Sequence, residues 1–131
     1  MSTKMEEGRK FFGRFVGEKV AAQYEAAAVP GAFGASMFRM ALENVFGGLW
    51  ARPGLDPRSR SLITLGMVIA LRLPDEIENH ARGALAHGCT AAELEEVALH
   101  CSAYVGYPAA GIALAAFRAV LTDQTGVKQR V

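Results

Sequence analysis

His80 and Glu76 stand four residues apart in the segment Pro74–Gly88. Four residues make about one helical turn, so on a helix the carboxylate and the imidazole share a face and can meet. An imidazole oriented by a carboxylate and held near neutral pKa suits proton transfer. Gly83 and His87 continue that face at i+3 and i+7 from His80. A glycine costs a helix roughly 1 kcal/mol relative to alanine, and at position 83 it leaves space near the ring. The same spacing also suits a structural histidine satisfied by Glu76. Of His87 and His100, one reads as a helix-end or surface group.

Arg52, Arg58 and Arg60 surround the dipeptide Asp56-Pro57, which has the form of an N-cap followed by proline in the first helical position. Three guanidinium groups near free backbone N–H donors form a candidate anion site. Solvated surface arginines or an interface pair fit the same pattern. Trp50, Tyr104 and Tyr107 lie at junctions between elements, where most aromatics pack, although a tyrosine hydroxyl can also donate to a ligand. Cys89 and Cys101 show neither C-x-x-C nor zinc spacing, so both read as inert thiols. GxSxG, Walker, HExxH and GxGxxG motifs are absent, and no metal site is expected.

Helices must position these groups, since helix signals dominate and no alternating strand is evident. A first helix is expected from about Lys4 to Ala28, ending at Val29-Pro30-Gly31. A second is expected from Phe33 to Phe46, ending at Gly47-Gly48, with a loop over Leu49–Leu55. The helix opened by Pro57 runs to Leu71 or Arg72. It is apolar nearly all round and is expected to be the central buried one. Pro74 and Gly88 bracket the next helix. Thr90-Ala91-Ala92-Glu93 is a capping box that opens another, and a last, Ala-rich helix runs from Pro108 to Thr122. The reading is a single all-α domain over residues 1–131, with 1–5 and 123–131 as flexible ends.

The totals narrow the function classes. The formal charge of +1 gives no bulk attraction to nucleic acid or an anionic membrane. Arg72 closes the apolar run Ser61–Leu71 well short of the roughly 18 residues of a membrane span. The charged N-terminus does not resemble a secretory signal, and the unpaired cysteines fit a reducing compartment, so a cytoplasmic protein is expected.

Three strings, taken in order, resemble the carboxymuconolactone decarboxylase family, part of the AhpD-like superfamily. They are Phe46 through Trp50, Arg52, Asp56-Pro57, Arg58 and Arg60 to Leu65; Glu76 through Asn79-His80-Ala81-Arg82-Gly83 to Gly88; and Thr90-x-x-Glu93-x-x-Glu96 followed by Tyr104-x-Gly106-x-Pro108. The resemblance covers roughly Glu6 to Leu121. It implies a bundle of about six helices, assembled as homotrimers or homohexamers with active sites near subunit contacts. The thiols of the AhpD-like peroxidases would fall on Leu73 and Glu76, which disfavours disulfide turnover. A relay glutamate carried by many relatives would fall on Ser61.

The activity implied is removal of CO2 from a γ-carboxylated unsaturated lactone, without a cofactor, because the conjugated lactone carbonyl accepts the electron pair. On that reading His80, tuned by Glu76, is the general acid. Arg52, Arg58 and Arg60 hold the substrate carboxylates, with Trp50 and Tyr104 lining the site. Competing readings are a related enzyme acting on another small lactone or carbonyl compound, and a non-catalytic scaffold.

Overall fold

The computed structural model describes residues 2–124, without the side chain of Gln124. The expected flexible end beyond position 124, and Met1, lie outside the described residues. Among the described residues every regular element is helical, as expected, and no helix is long and apolar enough to cross a membrane. Two compact units divide the chain, one reaching to Pro57 and the other beginning at Arg58.

In the first unit, α1 (Thr3–Val16) is capped by the Ser2 hydroxyl, which accepts from the Met5 N–H at 3.1 Å. The expected single helix to Ala28 is broken. Gly17 sits at φ 93°, a conformation that side chains other than glycine resist, and α2 (Glu18–Ala27) starts after it. Arg9 braces the break, with Nε 2.6 Å from Glu25 and a terminal nitrogen 2.9 Å from Glu18. The short α3 (Ala35–Met40) follows. Where the sequence suggested a stop at Gly47-Gly48, the chain continues as a π-helix over Ala41–Leu49, and the Trp50 N–H reaches the Val45 carbonyl at 2.9 Å. A π-helix of this length is uncommon. It packs backbone against backbone on α1. A Cβ on Gly8 would lie 1.8 Å from the Leu42 carbonyl oxygen, and one on Gly47 would lie 2.0 Å from that of Lys4. Phe12, Phe15, Leu42 and Trp50 fill the core of this unit.

In the second unit, α4 (Pro57–Ala70), α5 (Pro74–Ala86), α6 (Ala91–Val105) and α7 (Tyr107–Gln124) close on Leu65, Ile69, Ile77, Leu94, Phe117 and Val120. The alanines 109, 113 and 116 of α7 let its neighbours approach closely. The Thr90 capping box forms as expected, with the Thr90 hydroxyl accepting from the Glu93 N–H at 3.1 Å and Glu93 accepting from the Thr90 N–H at 3.0 Å. One expectation is corrected: α4 is not buried all round. Ile63, Met67 and Leu71, spaced at i, i+4 and i+8, are 53%, 54% and 67% exposed. Within one unit a helix buries only the faces its neighbours cover, whatever its composition. At the other end of the unit α7 extends past Asp123, whose carboxylate lies 3.5 Å from Arg82.

Candidate functional site

The residues singled out in the sequence fall in separate places. Trp50 is buried in the aromatic core of the first unit, with ring centroids 5.6 Å from Phe11 and 5.3 Å from Phe15. Arg52 lies in the exposed turn after it. The remaining candidates belong to the second unit.

His80 projects from the middle of α5 and is largely enclosed, with only 13% of its side chain exposed. Its Nε2 stands 3.6 Å from a Glu76 carboxylate oxygen. That separation is electrostatic proximity, longer than a hydrogen bond. The expectation of a near-neutral pKa is corrected. Burial lowers His80 from 6.5 to about 4, so the imidazole is neutral over the physiological range. Glu76 is half exposed, and its charge does not offset the loss of hydration around the ring.

At the far end of α5, His87 Nδ1 lies 2.9 Å from the hydroxyl of Ser61, a fully buried residue in the second turn of α4. At Ser61, where the resemblance places a relay glutamate, the chain therefore has a hydroxyl hydrogen-bonded to a histidine other than His80. The resemblance points to His80, and the sequence reading does not include the Ser61–His87 pair. Its only sequence signal was a small polar residue in the apolar run of α4.

Arg58 makes an ion pair across to Glu93, in the first turn of α6. The Arg58 guanidinium, helped by the Thr90 N–H, holds the Glu93 carboxyl below the usual carboxylate range. The pair stands at one end of an open groove of about 570 Å³ between α4 and α6, lined also by Leu62, Gly66, Glu96, Val97, His100 and Cys101. Tyr104 is exposed one turn beyond His100, with ring centroids 5.1 Å apart. Arg60 is half-buried on α4, where its carbonyl accepts from the Thr64 hydroxyl at 2.8 Å. Arg58 thus lines a groove with His100, while His80 and Arg60 are not among the residues lining it. Burial raises both thiols, Cys89 and Cys101, which fits the inert reading.

Residues 36–119 match the profile of the carboxymuconolactone decarboxylase family. The chain belongs to that family. It is similar to 4-carboxymuconolactone decarboxylase of Acinetobacter baylyi, at 41% identity over 78 residues, which cover 60% of this chain and 58% of that protein. It is also similar to the nitrosuccinic acid decarboxylase npaB of Metarhizium robertsii, at 44% identity over 66 residues, covering 50% and 46% respectively. The matched part of the chain thus spans about half the length of these relatives.

Proposed function

We propose that the chain is a carboxy-lyase acting on a small carboxylated acid whose departing carboxylate is conjugated to an electron sink, with a γ-carboxylated unsaturated lactone as the first substrate to test. The observation that carries the reading is the enclosed imidazole of His80 beside Glu76 on α5, within a chain of this family.

In such a lactone the C–CO2 bonding pair becomes a new C=C bond. The ring double bond shifts, and negative charge collects on the lactone oxygen. CO2 departs, and one proton is then needed at the α-carbon to give the enol-lactone. His80 supplies that proton and Glu76 stabilises the imidazolium. Arg58, Arg60 and Tyr104, on the second unit with His80, are proposed as the groups that receive the substrate, which is anionic through its carboxylates. The low pKa of the ring fits this order of events. The imidazole stays neutral until an anion arrives, and the anion then favours the charged, proton-donating form. The names of the two relatives support the class, since each denotes a decarboxylase of an acid bearing an electron-withdrawing group. Homotrimeric or homohexameric assembly and a cytoplasmic location belong to the same proposal. In a direct test, the purified chain releases CO2 from the γ-carboxylated lactone and leaves the lactone lacking that carboxyl unchanged. Absence of CO2 release from the first would remove the reading.

A further inference from the structure

Gly66 occupies the middle of α4. There a glycine costs roughly 1 kcal/mol relative to alanine, so a reason for it is needed. Packing does not supply one: a Cβ built at Gly66 meets no atom within 4 Å, in contrast to Gly8 and Gly47, where it would strike backbone. Nor is its backbone among the glycines with positive φ. What Gly66 does border is the open groove between α4 and α6.

That groove has the make-up of a small-ligand site. Leu62, Gly66, Val97 and Cys101 give it an apolar lining, and Arg58, Glu93, Glu96 and His100 supply the polar groups. Its volume of about 570 Å³ is in the range of small-molecule pockets. Seven residues of α6 separate Glu93 from His100, a rise of about 10 Å, enough for one ring and a carboxylate. Arg58 offers a planar fork for a carboxylate. Glu93 can yield it, because its other oxygen already accepts from the Thr90 N–H at 3.0 Å and keeps a partner after the exchange. Glu96 lies on the exposed side of α6, where water screens its charge.

We infer that the α4/α6 groove binds a ring-sized carboxylic acid, with Arg58 exchanging Glu93 for the ligand carboxylate and Gly66 keeping the groove open. This goes beyond the carboxy-lyase reading, because His80 does not line the groove; it rests on that reading only for the choice of an acid, and its test needs no turnover. Phenylacetate is titrated into the 15N-labelled full chain, with phenylacetamide and phenethylamine as neutral and cationic controls. Phenylacetate is expected to shift the amides of Leu62, Gly66, Val97 and Cys101 saturably, and the controls to bind at least tenfold more weakly. Gly66→Leu fills the groove from a site where a side chain meets nothing, so it retains the fold and weakens phenylacetate at least tenfold. Arg58→Gln weakens it similarly and removes the preference over the amide. The inference is overturned if phenylacetate shifts no groove amide, if the amine binds better, or if Gly66→Leu binds with unchanged affinity. It is equally overturned if Gly66→Leu changes the sedimentation coefficient, since a second copy of the chain then occupies the groove. Failure of the carboxy-lyase reading would show separately, as absence of CO2 release from the lactone.

Discussion

Burying a neutral imidazole makes stability depend on pH, and His80→Gln isolates that dependence. The folded-state pKa is about 4, whereas the unfolded chain titrates this histidine near 6.5. Above pH 6.5 the ring is neutral in both states and contributes no slope. As pH falls through 6.5 the unfolded chain takes up a proton that the folded chain refuses, so stability drops until the folded ring titrates as well. At about 1.4 kcal/mol per pH unit, the loss is about 2 kcal/mol between pH 7 and 5 and about 3 kcal/mol by pH 4. Glutamine has no proton to gain. Urea unfolding at pH 7 and pH 5, followed by far-UV circular dichroism, should therefore show wild type losing about 2 kcal/mol more than His80→Gln over that interval. The imidazole resonances of His80 should remain those of the neutral ring down to pH 5. A midpoint near 6.5, or equal pH slopes in the two proteins, would refute the enclosed neutral imidazole.

Other consequences are as direct. If the free enzyme must acquire the catalytic proton at His80, kcat/KM falls tenfold per pH unit above about pH 4, while the limb for kcat, which reports the substrate complex, lies at higher pH. A kcat/KM that is flat from pH 4 to 8 argues against that order. Gly8→Ala forces a methyl group into the Leu42 carbonyl, and destabilises the first unit by about 3 kcal/mol or prevents it folding. Fluorescence of Trp50, the single tryptophan, reads that unit, and an unchanged urea midpoint would contradict the close approach of α1 to the π-helix. Thr90→Ala removes the reciprocal cap of α6 and costs about 1 kcal/mol by the same urea assay, read by circular dichroism; no loss would show the capping box to be dispensable.

The helical class and most boundaries in the second unit could be read from local chemistry. Pro57, Pro74, the Thr90-x-x-Glu93 box and Gly88 act on the backbone within one turn, so their meaning survives without tertiary information. The first unit was harder. Gly17 looks like one tolerable glycine in a helical pattern, and only its positive φ reveals the break. The π-helix at Ala41–Leu49 depends on packing between α1 and the Gly47 backbone, which no local pattern encodes. In the site, the meeting of Glu76 and His80 followed from the i,i+4 rule. The pKa of His80 did not, because desolvation depends on what other helices cover. Ser61 with His87, Arg58 with Glu93, and the open space at Gly66 all arise between helices. Each became visible only when helices remote in sequence were placed side by side.

The account stands most directly on the steady-state rate of CO2 release from a γ-carboxylated unsaturated lactone by wild type and by His80→Gln, with sedimentation confirming an unchanged assembly. Loss of the proton donor should lower kcat by ~10²–10⁴-fold. A His80→Gln protein that turns over at the wild-type rate would contradict the assignment of the proton to His80.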